Sequence, residues 1–177
     1  AMSYKQAVES LEVGIEVLLD EIPVGLDIIA TGDMGIANTT PSSAIIACLT
    51  GMEVSRVTGK GTGLDNSGWE KKVRVIEKVL KVNKPDSLKP LEVLAKVGGF
   101  EIGAIAGLCL AAASRRIPVL IDGFVSTAAA LIATAIEPKV NGYLIASHIS
   151  AENGHLIALE KLGKRAIFDL NLRLGEG

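Results

Sequence analysis

The sequence predicts an α/β fold of three layers, in which a mostly parallel sheet carries helices on both faces. Short β runs alternate along the chain with longer helical segments, and each run is continuously apolar rather than alternating. Continuously apolar strands are typical of a parallel sheet that is buried on both faces. The 177 residues are 49% hydrophobic, which suffices for one domain with its own core.

The first half of the chain is predicted to be largely helical. Apolar residues at three- and four-residue steps predict a helix from Ser3, a suitable cap, to Ile22. Pro41 suits the first turn of a second helix, and Ser67 followed by Glu70 resembles a capping box for a third. In chain order the predicted elements here are a helix over 3–22, a strand over 26–30, and helices over 42–49, 67–82, 91–97 and 100–114.

The second half is predicted to complete a Rossmann-like sheet. Its predicted elements are a strand over 117–121, a helix over 125–136, a strand over 143–146, a helix over 151–162 and a strand over 166–170. Ligands of such sheets bind beyond the carboxyl ends of the strands. The segments expected to carry a site are therefore 31–40, 122–123, 147–150 and 171–177.

Composition and charge exclude several classes of function. The net charge is −2 and there are only six aromatic residues, so no basic or base-stacking surface for nucleic acid or membrane is expected. Cys48 and Cys109 lie in apolar stretches and are predicted to be buried thiols, without the spacing of a metal site. No targeting segment is recognised, and a reducing cytoplasm is expected.

Two glycine-rich loops are candidates for binding a phosphate. Residues 32–40 (GDMGIANTT) lie between a strand and a helix, where backbone amides favour an anion. Residues 59–65 (GKGTGLD) form a second loop that lacks the P-loop spacing. An ordinary turn is the alternative for each loop.

Several single residues allow a structural and a functional interpretation. Lys72, read alone, is a solvated helix lysine, although it could reach a ligand. His148 could be an acid–base group or a cap, and Ser150 is a good N-cap that could also contact a phosphate. Glu176 and Asp33 could divide acid–base work at one sheet edge, or Glu176 could lie in a frayed terminus.

Six segments along the chain carry a resemblance to a known family. They are 32–40, 58–65, 90–99 (PLEVLAKVGG), 116–124 (RIPVLIDGF), 143–148 (YLIASH) and 173–177 (RLGEG). Taken in order, these motifs resemble the nicotinate-nucleotide:dimethylbenzimidazole phosphoribosyltransferase family of cobalamin biosynthesis. The resemblance covers essentially the whole chain.

The resemblance implies a reaction and the residues that perform it. The family moves the 5-phosphoribosyl group of nicotinate mononucleotide onto a nitrogen of 5,6-dimethylbenzimidazole, with inversion at the anomeric carbon. Glu176 matches the family's general base, and Asp33 would assist it. No metal or cofactor is required, and the family is dimeric. The implied substrate-binding residues are Gly32, Met34, Gly35, Ile36, Ala37, Asn38, Thr39, Gly61, Thr62, Gly63, Asp65, Lys72, Ser150, Leu174 and Gly175.

The chain departs from the family in two ways. The family usually has Glu at the position of Asp33 and Gly at the position of Ala37. Family members are also roughly twice as long, so residues 1–177 are expected to be a single nucleotide-binding core that lacks both ends. A non-catalytic nucleotide-binding or regulatory module on the same core is the alternative function, and the acceptor base stays open.

Overall fold

The computed structural model describes residues 1–61 and 63–171. Its helices are α1 (Tyr4–Glu21), α2 (Thr39–Thr50), α3 (Val54–Val57), α4 (Asn66–Asn83), α5 (Pro90–Val97), α6 (Phe100–Ser114), α7 (Phe124–Ile136) and α8 (Asn153–Leu162), and its strands are β1 (Ile29–Ala30), β2 (Val119–Ile121) and β3 (Leu144–Ala146). Two 3-10 segments, Ile22–Val24 and Pro138–Tyr143, follow α1 and α7.

The three strands form one parallel sheet in the order β1-β2-β3. Val119 of β2 aligns with Ile29 on one side and with Leu144 on the other. Parallel neighbours require crossover connections, and α2 to α6 supply the first while α7 supplies the second. The predicted α/β class with a parallel sheet is therefore confirmed.

The structure corrects the predicted strands and adds a helix. Each described strand is shorter than predicted, and the run at 166–170 contributes only a parallel bridge between His148 and Phe168. That run still hydrogen-bonds beside β3, because Ile167 N donates to Ala146 O at 3.0 Å and Phe168 N to Ser147 O at 2.8 Å. The short helix α3 was not predicted.

Helix ends follow local chemistry where the cap is unambiguous. Ser3 and Gln6 form a reciprocal capping box at the start of α1, and Gly51 ends α2 at φ +71°. The predicted box at Ser67 and Glu70 is wrong, because Asp65 caps α4 by accepting a hydrogen bond from Gly68 N at 2.7 Å. A cap residue two positions earlier accounts for the earlier start of that helix.

The core is built around α7, which contacts α2, α6 and α8. Nine consecutive or near-consecutive side chains of α7, from Phe124 to Ala133, are buried. Most of them are alanines or small hydroxyl residues, and small side chains let neighbouring helices approach closely. The nearly continuous apolar sequence of α7 therefore reflects burial on most of its sides.

Helices α1 and α6 are in backbone contact. A Cβ on Gly14 would overlap the carbonyl oxygen of Ala104, and one on Gly107 would overlap that of Leu11. Gly103 lies in the same way against the hydroxyl of Ser10. The glycines of α6 thus permit the two helices to pack closely.

Candidate functional site

The loops that follow the three strands and the loop before α4 meet at the carboxyl edge of the sheet. At their centre is a group of five residues from four parts of the chain, here called the Lys72 cluster. Its members are Thr39, Gly59, Gly61, Lys72 and Glu152. The topology assembles this group because α2, α4 and α8 all begin at this edge.

Lys72 is the central charge of the cluster. Its side chain is buried, and Nζ donates to Thr39 Oγ1 at 2.9 Å and to Gly59 O at 3.3 Å. Burial lowers the pKa of this ammonium, and the negative charge of Glu152 opposes that shift. The interpretation of Lys72 as a solvated helix lysine is therefore wrong. A buried ammonium between two loops is suited to neutralise a bound anion.

The position of Lys72 follows from how α4 is anchored. Asp65 caps the helix, and the hydrogen bonds from Gly68 N and Ser67 lower the pKa of its carboxyl group. Trp69 Nε1 donates to Thr58 O at 2.8 Å and ties the first turn to the preceding loop. Lys72 stands one turn after Trp69 and so faces the same loop. Asp65, which the resemblance assigns to substrate binding, therefore caps α4 in the structure.

Glu152 is a member of the cluster that sequence analysis missed. Its Oε2 is buried and has no hydrogen-bond partner among the described residues. The carboxylate packs on Gly59, where a Cβ would overlap it. A side chain at Gly59 would therefore displace the carboxylate from this position. No sequence signal marks Glu152, because a Glu near a helix start is ordinary.

The first glycine-rich loop is closed by its own side chains. Asn38 is buried and its amide donates to the carboxylate of Asp33. Ala37 adopts φ +69°, the left-handed conformation for which the family's glycine is suited. Thr39 is the residue of this loop that touches Lys72. The remaining predicted residues of the loop are exposed, namely Gly32, Met34, Gly35 and Ile36.

The second glycine-rich loop passes over Lys72. Gly61 has φ +58°, and a Cβ there would lie 3.9 Å from Lys72 Nζ and 3.7 Å from Thr39 Oγ1. Gly63 has φ +123° in open space. The structure thus places Gly61 in the cluster. Thr62 lies outside the described residues.

Ser150 is held at the edge of the site by its backbone. Its N–H donates to His155 Nδ1 at 2.8 Å, and its Oγ accepts from Glu152 N at 3.4 Å. The N-cap of α8 is Glu152, so the predicted N-cap role of Ser150 is wrong. Ser150 Cβ lies 3.9 Å from the position of a Cβ on Gly123, so the loops after β2 and β3 touch here.

The two histidines lie at the same edge. His148 is buried, with Nδ1 3.0 Å from Ser147 Oγ and 3.8 Å from Asp122 Oδ1. His155 is fully buried in α8, and burial together with nearby His148 lowers its pKa to about 4. His148 caps no helix of the described chain. His155 could have been suspected from its place on the apolar face that also carries Ala158, Leu159 and Leu162.

Three predicted residues near the end of the chain, Leu174, Gly175 and the expected general base Glu176, lie outside the described residues. Among the residues that are described, no group of three or more His, Cys, Asp or Glu side chains could hold a metal ion. In the same part of the chain, no helix is both long enough and apolar enough to span a membrane.

Comparison with known proteins decides the family. A family model described as phosphoribosyltransferase matches residues 1–177. This chain belongs to that phosphoribosyltransferase family. The membership confirms the resemblance that the sequence motifs carried.

Named relatives sharpen the similarity. The chain is 60% identical over 177 residues to a nicotinate-nucleotide–dimethylbenzimidazole phosphoribosyltransferase of Desulforudis audaxviator (strain MP104C), covering 100% of this chain and 50% of that protein. It is 54% identical to the protein of the same name from Roseiflexus sp. (strain RS-1), with the same coverage. The chain thus spans about half the length of the relatives it matches.

Solved structures agree with the fold. The crystal structure of CobT from Thermus thermophilus superposes with a TM-score of 0.94 at 41% identity, covering 100% of this chain and 53% of that chain. A structure of nicotinate-nucleotide-dimethylbenzimidazole phosphoribosyltransferase from the same organism gives a TM-score of 0.91 at 40% identity, covering 100% of this chain and 52% of that chain. The likeness therefore extends over the whole of this chain.

Proposed function

We propose that this chain is the nucleotide-binding core of an enzyme that transfers the 5-phosphoribosyl group of nicotinate mononucleotide to 5,6-dimethylbenzimidazole or a related base. The products are α-ribazole 5′-phosphate and nicotinate, in cobalamin biosynthesis. The relatives' names support the reaction, and the Lys72 cluster supports the binding of a phosphorylated ligand. No metal or cofactor takes part in the proposed step.

The observation that carries the proposal is the buried ammonium of Lys72. It is held by Thr39 Oγ1 and Gly59 O, two neutral acceptors. A phosphate dianion at this point would stabilise the charged ammonium, as the Glu152 carboxylate does in part, and would return the lowered pKa of Lys72 toward its ordinary value. The glycine-rich loop and the hydroxyl of Ser150 would add donors around the same oxygens.

The proposed reaction exchanges one C–N bond for another. The azole nitrogen attacks the anomeric carbon with its lone pair, and the bond from that carbon to the nicotinate nitrogen breaks with its electron pair. The proton of the azole N–H passes to Glu176. Asp33 stabilises positive charge that develops on the ribose. A carboxylate is a competent base for this proton if its surroundings raise its basicity.

Calorimetric titration of this chain with nicotinate mononucleotide tests the binding half of the proposal. Nicotinate and ribose 5-phosphate, titrated separately, are the controls. Tighter binding of the mononucleotide than of either part supports a combined phosphate and nucleoside site. Equal or absent binding of all three contradicts it.

The catalytic half is tested in a full-length relative that carries the equivalent residue. Replacing the residue equivalent to Glu176 by Gln removes the base but keeps the size of the side chain. We expect turnover to fall by at least about a hundredfold while mononucleotide binding persists. Near-normal turnover of that variant would remove Glu176 from the mechanism.

The second candidate function is a non-catalytic nucleotide-binding module. The observation that favours it lies in the first glycine-rich loop, where the Asn38 amide donates to the carboxylate of Asp33 and so engages one of the two predicted catalytic groups. Mononucleotide binding by this chain, with no release of nicotinate when a benzimidazole is added, supports the module. Release of nicotinate by the chain alone supports the transferase.

We also propose a homodimer in the cytoplasm. Exposed apolar side chains on and after α1, namely Val13, Val17 and Val24, offer a surface that a second copy could cover. Cys48 and Cys109 form no disulfide, which fits a reducing compartment. Light scattering during size-exclusion chromatography measures the molar mass in solution, and a mass of two chains supports the dimer.

A further inference from the structure

A partly buried series of hydrogen bonds runs beside the candidate site, and of its members only Ser150 is used in the proposed function. Ser150 N donates to His155 Nδ1 at 2.8 Å, and His155 Nε2 lies 3.0 Å from Thr127 Oγ1. Thr127 Oγ1 in turn donates to Gly123 O at 2.8 Å. These hydrogen bonds thus link the loop after β3 to the loop after β2 through α7 and α8.

The protonation state of His155 follows from its partners. A backbone N–H can only donate, so Nδ1 must be the bare nitrogen of the ring. The proton of the neutral ring is then on Nε2, where Thr127 Oγ1 accepts it. Thr127 can accept because its own proton is directed to Gly123 O. Each of these three hydrogen bonds therefore has a single assignment of donor and acceptor.

We propose that His155 is a positioning residue, which holds Ser150 at the edge of the Lys72 cluster so that the serine hydroxyl meets the ligand's phosphate. The inference rests on the proposed function, since that function supplies the phosphate. His155 itself is fully buried. Its ring acts through the backbone of Ser150, whose N–H it accepts at Nδ1.

Few titratable side chains lie around His155 in the described part of the chain. His148 has its ring centroid 6.5 Å away, and Asp122 approaches His148 rather than His155. Of the helices packed on α8, α7 has no titratable side chain, α2 has Cys48 and α3 has the exposed Arg56. A proton added to His155 therefore finds no partner at Nδ1 and opposes the N–H of Ser150, which releases the loop.

Two substitutions separate the positioning role from simple packing. His155→Asn keeps an acceptor oxygen near the place of Nδ1, whereas His155→Leu fills similar space without any acceptor. We expect nicotinate mononucleotide to bind His155→Leu about tenfold more weakly than the unaltered chain. His155→Asn should recover most of that affinity. Circular dichroism and urea unfolding show whether each variant is folded.

A spectroscopic readout does not depend on ligand binding. In uniformly 15N-labelled protein, the Nδ1 resonance of His155 should be that of a bare nitrogen at neutral pH. The Ser150 amide resonance should shift together with it on acidification, and mononucleotide affinity should fall over the same pH range. A protonated Nδ1 at neutral pH would overturn the proposal.

The binding outcomes distinguish the two proposals. If the unaltered chain binds the mononucleotide but His155→Leu binds it equally well, the positioning role is overturned while the proposed function stands. Equal losses in the folded Asn and Leu variants also overturn it. If the unaltered chain binds no mononucleotide, the proposed function fails, and with it the ligand role of His155.

Discussion

The contact between α1 and α6 and the Lys72 cluster both depend on glycine, for different physical reasons. In the helix contact, Gly14 and Gly107 remove side chains so that two backbones can touch. In the cluster, Gly59 makes room for a carboxylate and Gly61 adopts φ +58° above a buried ammonium. The contact between α1 and α6 gains stability from dispersion contacts. In the Lys72 cluster, polar groups are removed from water, which costs free energy. Substitutions should therefore affect stability in the first region and binding in the second.

A substitution in the helix contact should have the greatest effect on stability. Gly107→Ala puts a methyl group into the Leu11 carbonyl oxygen, and backbone on both sides cannot yield without separating the helices. We expect the free energy of unfolding to fall by about 3 kcal/mol or more, measured by urea denaturation. Gly142→Ala, whose Cβ would meet nothing within 4 Å, is the control and should change stability by no more than about 0.5 kcal/mol.

Lowering the pH should reduce the free energy of unfolding by a somewhat smaller amount than Gly107→Ala does. The pKa of His155 is lowered from 6.5 to about 4 in the folded chain, so its contribution is fully present above pH 6.5 and is lost as pH falls. Between pH 7 and pH 4.5 the free energy of unfolding should decrease by about 2–3 kcal/mol from this residue. Urea unfolding at several pH values measures it, and His155→Asn should flatten the profile.

The same pH window separates His155 from the carboxyl groups. Hydrogen bonds lower the pKa values of Asp65, Asp86 and Glu92 below their ordinary 3.8 to 4.5. Their contributions are present above those values and are lost as pH falls through the lower folded pKa values. A decrease that begins only below pH 4.5, with none between pH 7 and pH 4.5, would contradict the assignment to His155.

A change at Lys72 should weaken ligand binding more than it weakens the fold. Lys72→Met keeps the apolar stem but leaves the buried Glu152 carboxylate without the nearby cation, so the free energy of unfolding should fall modestly, by about 1 kcal/mol. Affinity for nicotinate mononucleotide, measured by calorimetry, should fall about tenfold or more because a charge-assisted contact is lost. The matched control is Lys71→Met on the exposed face of the same helix. Equal affinity of both variants would leave Lys72 without a binding role.

A modest gain in stability is expected at Ala37. Its φ of +69° disfavours a residue with a Cβ, so Ala37→Gly relieves strain while raising the entropy of the unfolded chain. We expect a net gain of about 0.5 kcal/mol, measured as a small rise in the urea midpoint. Ala151→Gly, exposed and without a positive φ, should instead lose stability. A loss of the same size in both variants would show that Ala37 carries no strain.

Elements with strong local signals were predictable. The cap at Ser3 and the helices over 42–49 and 100–114 depend on neighbours in sequence, and they are present in the structure. The cap of α4 was misplaced because Asp65 and Ser67 are both good cap residues, and only the backbone geometry chooses between them. The strand at 166–170 was overestimated because apolar content does not reveal how far a strand pairs.

The site was predictable in part. The two glycine-rich loops and the order of the motifs were sufficient to indicate the family, which the comparison with known proteins confirms. The sequence of α4 does not show that Lys72 is buried. Lys71 and Arg74 are also basic and lie close to it in sequence, yet both are exposed. Glu152 and His155 were missed because their importance arises from contacts with Gly59 and with Ser150.

The α/β class, the helix order and the family could all be inferred from the order of residues along the chain, because periodicity, caps and motif order are properties of neighbouring residues. Which polar groups meet at the carboxyl edge of the sheet depends instead on the packing of the folded chain. Lys72 is 33 residues from Thr39 and His155 is 28 from Thr127. Contacts across such separations require α2, α4, α7 and α8 to pack as they do, and burial then sets the charge states of Lys72 and His155.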